Sequence, residues 1–359
     1  MLPIMDFTAN LLIWFKENYR DLPWKNTTDP YKIWLSEIIL QQTRVAQGYT
    51  YYLRFVEKYP TVDTLAAAPL DEVLKLWQGL GYYSRARNLH HTAQTVVQRY
   101  GGRFPASYGA LRELKGIGDY TAAAIASFAF GEPVPALDGN GYRIFARVFG
   151  IDAPIDSSAG KKALREAAQS LIPCQCPADF NQSLMDFGSM VCVPKNPDCA
   201  GCPLQEGCYA YAHKKVNMLP VKARKADVRV RYFHYLIVRH GGKIYLHQRT
   251  DNDIWKGLYE FPLIETDAAV QPENITAQPA WQTLFSGTLV QIVRYSPLVK
   301  HQLTHQTLWA RFYLIQLHDV PQHLCNQYLA VPLKDFDRYG IPRLIDAFLE
   351  KNGEKFAVV

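Results

Sequence analysis

Leu111-Arg112-Glu113-Leu114-Lys115-Gly116-Ile117-Gly118-Asp119-Tyr120-Thr121-Ala122 is the stretch on which the fold turns. It has the form L-x-x-L-x-G-I-G-x-x-T-A. Leu111 and Leu114 close the apolar face of one helix. Gly116 and Gly118 permit a tight turn and a close backbone approach. The next helix begins at once, and the first N–H groups of a helix have no partners within it. They form an anion site that a DNA phosphate fits without any base being read. Lys115, Gly116 and Gly118 are the candidate contacts. Paired glycines alone are common; the whole twelve-residue pattern is far more specific.

Outward from this hairpin, residues 1–215 read as all-α. Phe7, Leu11, Leu12 and Phe15 recur at helical spacing over residues 6–19. Asp29-Pro30 reads as an N-cap followed by proline at the first helical position. Tyr31 to Tyr59 follows as one helix or two, then a short one over Val62 to Ala68, and others at 71–77 and 84–100. Beyond residue 228 the texture changes. Val228 to Arg239 alternates apolar and polar residues, Gly241-Gly242 makes a turn, and Lys243 to Arg249 reads as the partner strand. Leu308 to Leu317 is a further strand, and Pro342 to Glu350 a terminal helix. The expected organisation is a helical domain over 1–215, a basic linker over 216–228, and an α+β domain over 229–359.

Hydrophobic residues make up 48% of the 359, and charged residues 20%, which excludes a mainly disordered chain. No apolar run approaches the roughly 18–20 residues of a membrane span. The start has no basic n-region and no small-residue cleavage site, so a cytoplasmic protein without a membrane partner is expected. A net charge of +6 is too mild to prove a nucleic-acid partner by itself.

Four of the seven cysteines, Cys192, Cys199, Cys202 and Cys208, share one stretch with the spacing C-x6-C-x2-C-x5-C. In a cytosolic chain such clustering argues for metal rather than disulfides. The intervening Pro194, Pro197, Gly201, Pro203 and Gly207 bend the loop but give it no apolar face. Zinc usually takes two close ligand pairs, and only one is present. Four thiolates from one compact loop suit a [4Fe–4S] cubane better. Cys174 and Cys176 read as structural.

The hairpin, a following Asp138 and this cysteine spacing resemble the endonuclease III superfamily of base-excision glycosylases. Within it, the chain is similar to the adenine DNA glycosylase (MutY) family. The likeness is strongest in Trp34-Leu35-Ser36-Glu37, Leu40-Gln41-Gln42-Thr43, Gly79-Leu80-Gly81-Tyr82-Tyr83, Leu137-Asp138-Gly139-Asn140 and the cysteine loop. It implies a two-lobed helix-hairpin-helix fold: a six-helix lobe over about 22–130, and an iron–sulfur lobe made of the N-terminal helix and 131–215. It also implies double-stranded DNA carrying A:8-oxoguanine or A:G mispairs as substrate, acted on by a monomer.

Cutting an N-glycosidic bond needs acid for the departing base and negative charge beside an oxocarbenium-like sugar, a division of labour that two carboxyls serve. Glu37 lies in a strongly apolar helix, which should raise its pKa, so that the protonated acid can donate to adenine N7. A solvated helix face is the competing reading. Asp138 precedes the apparent helix Tyr142 to Phe149, whose N-terminus favours an ionised carboxylate. The resemblance assigns Asp138 to transition-state stabilisation, with Asn140 orienting it and Tyr120 in support. Lyase relatives carry lysine at the position of Tyr120, for a Schiff base; tyrosine here implies monofunctional base removal.

By the same resemblance, Gln42 and Tyr82 wedge into the duplex while adenine is flipped out. Trp24, Lys25 and Gln182 line the adenine pocket, and Lys195 contacts phosphate. Gly257-Leu258-Tyr259-Glu260-Phe261-Pro262 resembles a Nudix segment, but the carboxylate box that should follow is absent. The second domain is therefore expected to read 8-oxoguanine rather than to hydrolyse nucleotides. Its reading loop would be Leu303-Thr304-His305, where the family commonly carries Phe-Ser-His. Leucine fills space beside a base but cannot stack on it as phenylalanine does. The rival readings are an endonuclease III-like glycosylase/lyase for oxidised pyrimidines and a non-catalytic iron–sulfur DNA-binding protein.

Overall fold

The structure is a computed structural model that describes residues 4–223 and 228–356. Part of the expected linker thus lies outside the described residues. Contacts divide the chain into two units, Met1–Ala67 with Asn88–Arg224, and Ala68–Arg87 with Lys225–Val359.

The first unit contains α1 (Ile4–Glu17), α2 (Pro30–Leu40), α3 (Val45–Lys58) and α4 (Val62–Ala67). The second holds the short α5 (Leu70–Leu76), and α6 (Ser84–Tyr100) runs back into the first. There follow α7 (Tyr108–Arg112), α8 (Asp119–Phe130), α9 (Gly139–Phe149), α10 (Ser158–Gln169), α11 (Pro177–Met190) and α12 (Tyr209–Ala212). Among the described residues, no strand precedes residue 229. The Asp29 carboxylate caps α2 by accepting from the Tyr31 amide at 2.9 Å. Helix α2 is buried on nearly every side, from Tyr31 through Ile39, and packs on α8. A helix that is apolar all round belongs inside a core. Helix α11 packs against α1, α8 and α9, and the apolar faces of α1, α9, α10 and α11 close a second core around Phe145, Phe180 and Phe187.

The second unit is a mixed sheet flanked by helices. Its strands are β1 (Arg229–His240), β2 (Lys243–Gln248), β3 (Tyr259–Glu260), β4 (Leu263–Thr266), β5 (Val290–Tyr295), β6 (Val299–Gln302), β7 (Gln306–Leu317) and β8 (Leu329–Pro332). The backbone path is β3-β2-β1-β7-β5, with β4 added to β1, β6 to β7 and β8 to β2. Strands β1 and β7 run parallel, from Arg229 opposite Gln306 to Arg239 opposite Gln316. The alternation expected of β1 gives way to burial on both faces. Phe233, Tyr235 and Ile237 pack with the terminal helix α13 (Arg343–Phe356) through Ile345 and Phe348. Leu236 and Val238 face Trp281 and Phe285. Strands covered on both sides read as continuous apolar runs.

The sequence reading places residues 68–87 in the helical lobe; their contacts lie with the C-terminal residues. Lys75 donates to the Tyr339 carbonyl (3.2 Å), the Gln78 amide to Asp346 (2.9 Å), and the Tyr83 hydroxyl to the Ile341 carbonyl (3.3 Å).

Candidate active site

Glu37 sits on the last turn but one of α2, with 6% of its surface exposed. The solvated-face reading is thereby excluded. Burial pushes its pKa up to about 7; a hydrogen bond from Tyr120 pulls it down, and the nearby Asp138 pushes it further up. Tyr120 lies on the first turn of α8, directly after the hairpin, so the packing of α2 on α8 is what brings the two together.

Asp138 is the N-cap of α9. One carboxylate oxygen accepts from the amides of Asn140 and Gly141, both at 2.9 Å, and the other from the Asn140 side chain at 2.8 Å. These donors, with Arg143, favour the anion, but burial outweighs them and raises the pKa above the usual aspartate value. The helix terminus favours the ionised carboxylate, as its place before the helix implies, and desolvation works against it.

Both carboxyls, Tyr120 and Asn140 line one cavity of about 660 Å³, as do Trp24, Lys25, Gln42 and Gln182. Trp24 is buried edge-on to Tyr52. The Lys25 ammonium lies 2.5 Å from Asp186, and burial lowers its pKa against that pull. Gln42 stands on the rim with a left-handed backbone (φ 55°) and an exposed side chain. Asp186 was missed from the sequence. It lies four residues after Gln182 on α11 and so shares its face, the one signal that pointed to it.

Helix α9 also leads to the cysteines. The Arg143 guanidinium donates to the Asn140 side chain (2.7 Å), the Gly188 carbonyl (2.7 Å) and the Cys192 carbonyl (2.7 Å). One turn on, Arg147 donates to the Cys192 sulfur (3.4 Å) and to the carbonyls of Val193 and Pro194. Neither arginine was singled out from the sequence, since each acts across more than forty residues of chain. Cys192, Cys202 and Cys208 are half-buried against the core of the unit. The four thiols lie within electrostatic reach of one another. Among the described residues, no three His, Cys, Asp or Glu side chains converge as for a single ion.

In the hairpin, Gly116 has φ 80°, and a Cβ there would meet Asn88 at 2.7 Å. Glycine is obligatory on both counts. Gly118 is the N-cap of α8 with extended backbone, no side-chain cap and open space beside it, so its lack of a Cβ leaves the helix N-terminus accessible. Lys115 and Lys195 are exposed. Asp119, on the first turn of α8, is neutralised by Arg112 (2.6 Å) and Arg165 (2.7 Å).

The remaining residues belong to the second unit. Tyr82 is 47% exposed, and its hydroxyl lies 2.7 Å from that of Thr304. Leu303 packs inward on the sheet core, while Thr304 and His305 stand exposed at the tip between β6 and β7. Glu260 is held by Arg249 (2.7 Å) and Tyr235 (3.2 Å).

Two family models match this chain. Residues 35–174 match the HhH-GPD superfamily of base excision DNA repair proteins, and residues 234–351 match the NUDIX domain. The adenine DNA glycosylase of Buchnera aphidicola subsp. Baizongia pistaciae is 36% identical over 84% of each chain. That of Buchnera aphidicola subsp. Acyrthosiphon pisum is 32% identical over 96% of this chain and 97% of its own. Among solved structures, a thermostable thymine-DNA glycosylase superposes with a TM-score of 0.55 at 34% identity, covering 58% of this chain and 97% of its own.

Proposed function

The chain belongs to the adenine DNA glycosylase family, a base-excision repair enzyme acting on DNA, and on that footing we propose that it excises adenine paired with 8-oxoguanine or guanine, by base removal alone. The observation that carries the reading is a pair of carboxyls lining one cavity, buried Glu37 and half-buried Asp138, with Tyr120 hydrogen-bonded to Glu37.

Glu37, with a pKa near neutrality, holds a proton available for adenine N7 at physiological pH. As the glycosidic bond breaks, positive charge develops on the sugar. The Asp138 carboxylate, oriented by Asn140 and two backbone amides, supplies the opposing charge without reorganising. The cavity also offers the flipped base the Trp24 ring and the Gln182 amide. Lys25 is already engaged by Asp186, so we assign this pair to shaping the pocket wall. A tyrosine at 120 leaves no amine for a Schiff base, which supports a monofunctional enzyme.

The cysteine loop is assigned a [4Fe–4S] cluster held by Cys192, Cys199, Cys202 and Cys208. The donor set is four thiols, and a cubane takes one thiolate per iron, which spreads the ligands more widely than a single ion does. When bound, the cluster supplies the rigidity that this proline- and glycine-rich loop lacks. Gln42 and Tyr82 are assigned to duplex insertion, the hairpin amides with Lys115 and Lys195 to phosphate contacts, and Thr304 with His305 to the base opposite adenine. Single-turnover excision on A:8-oxoguanine, A:G and oxidised-pyrimidine duplexes tests the proposal. Cleavage confined to the last, or strand nicking without added base, would overturn it.

A further inference from the structure

Within the second unit, the segment Gly79-Leu80-Gly81-Tyr82 has positive φ at three of its four residues: 97° at Gly79, 72° at Gly81 and 47° at Tyr82. Two of these are glycines, for which the left-handed region is free of steric cost; an aromatic residue there must be held by its surroundings. Arg85 surrounds it. The Arg85 guanidinium lies 5.0 Å from the Trp77 ring centre and 5.6 Å from that of Tyr82. It donates to the Leu80 carbonyl (3.3 Å) and to the Gly81 carbonyl (3.2 Å), the latter also bonded by the Trp77 indole at 3.0 Å. The backbone amide of Arg85 closes the turn on the Tyr82 carbonyl at 2.9 Å. Trp77 is fully buried, so the stack has a fixed base. At its free end, the half-exposed Tyr82 ring carries the hydroxyl bonded to Thr304.

We propose that Arg85 is a positioning residue that sets discrimination of the base opposite adenine: a planar guanidinium, fixed on Trp77, locks the Tyr82 turn and ring and so holds the Tyr82 hydroxyl on Thr304. This rests on the reading of Thr304 and His305 as the contacts to that base. A point charge would not serve. Lysine keeps the charge and can donate, but it has no planar face to lie over both rings while one nitrogen, as Arg85 Nη2 does, bonds the Leu80 and Gly81 carbonyls.

The test uses the full chain. Single-turnover excision by wild type, Arg85→Lys and Arg85→Gln is measured on A:8-oxoguanine and A:G duplexes, with thermal unfolding run on each. A parallel arm places 2-aminopurine beside the orphan base, so that its fluorescence reports insertion of the Tyr82 ring. Arg85→Lys should lower the preference for 8-oxoguanine at least fivefold and weaken the fluorescence change. Arg85→Gln, whose planar amide still stacks, should fall between lysine and wild type. In a Tyr82→Ala background, Arg85→Lys should add no further loss of preference. A folded Arg85→Lys with wild-type preference and fluorescence overturns the inference. So does an equal loss on both duplexes, or an additive loss on Tyr82→Ala. If Arg85→Lys does not fold, full retention of preference by Arg85→Gln overturns it instead. Should the wild type itself show no preference, that failure belongs to the assignment of Thr304 and His305, and the fluorescence arm still decides on Arg85.

Discussion

Glu37 and Glu260 are both buried glutamates, and burial pushes both up to about 7. Their surroundings are opposite. Glu260 is gripped by Arg249 at 2.7 Å and by the Tyr235 hydroxyl, in a network where Arg249 also holds Asp253, and Asp253 and Glu265 hold Arg231. Glu37 faces a cavity with a tyrosine and another carboxyl as neighbours. A displaced titration is therefore common to a structural and a chemical glutamate. What separates them is the free volume beside the acid and the cation bound to the other. The same contrast explains how a Nudix-like sheet carries Glu260 in the segment Gly257–Pro262 while that carboxylate is fully occupied within the fold.

The comparison breaks most sharply at the acid itself. Glu37→Gln cannot deliver a proton and should lose excision by about two to four orders of magnitude while keeping duplex affinity. Glu260→Gln should leave the rate on A:G near wild type. It should instead lower stability by about 2–3 kcal/mol, since Arg249 loses a charged partner but keeps Asp253. Paired excision assays and denaturant melts check both. A strong loss of chemistry in Glu260→Gln would erase the distinction.

The pH profile sharpens it. With Glu37 near 7, its active protonated form is depleted as pH rises, so excision should fall by roughly tenfold per unit well above 7. The lower limb belongs to Asp138, raised above the usual aspartate value. Stability follows the same sign. The raised folded-state pKa of Glu37 means that folding binds a proton between about 4.5 and 7, so stability from this group is lost as pH rises through that window. Glu37→Gln should accordingly be more stable than wild type at pH 8, by on the order of 1–3 kcal/mol, and closer to it at pH 5. Melts at the two pH values decide this.

The cysteine loop sets a third test. Cys199→Ala should abolish visible absorbance and lower soluble yield or DNA affinity, because the loop's remaining anchors, Leu204 in the core and Arg147 on Val193 and Pro194, do not replace a lost ligand. Stoichiometric zinc without iron in the purified wild type would sink the cluster. The geometry adds a consequence: Arg143 ties Asn140, the orienting group of Asp138, to the Cys192 carbonyl. Loop damage should then reach excision as well as binding.

Much of this was legible in the sequence where the signal is local. The twelve-residue hairpin, the Asp29-Pro30 start of α2 and the apolar run around Glu37 each declare themselves within about a dozen residues of chain. Two kinds of feature did not. Arg143 and Arg147 reach the cysteine loop, and Asp186 reaches Lys25, across separations that no periodicity reports, though the helical spacing of Asp186 from Gln182 did place it on the pocket face. The attachment of residues 68–87 to the C-terminal unit rests on contacts such as Gln78 with Asp346, more than 260 residues apart. Strand β1 was legible from its alternation, but its burial on both faces was not, because that depends on what packs on each side of the sheet.

The smallest expected effect lies at the tip between β6 and β7. Leu303 packs on the sheet core, so its replacing the usual aromatic changes how the loop is anchored and leaves Thr304 and His305 as the exposed pair. Truncation near Lys215 is a poor probe of this loop, since it would remove the C-terminal partners of Lys75, Gln78 and Tyr83. The point variant is cleaner. His305→Ala removes one exposed donor and acceptor while the Tyr82–Thr304 bond remains. It should reduce the ratio of A:8-oxoguanine to A:G excision by roughly fivefold to tenfold, on the order of 1 kcal/mol, the size of one net hydrogen bond. Single-turnover rates on both duplexes must be taken at one salt concentration, because phosphate contacts make affinity salt-dependent. An unchanged ratio would move recognition of the opposite base away from His305, onto Thr304 and Tyr82 or into the first unit. A fall on both duplexes alike would mark His305 as a backbone-binding residue rather than a reader.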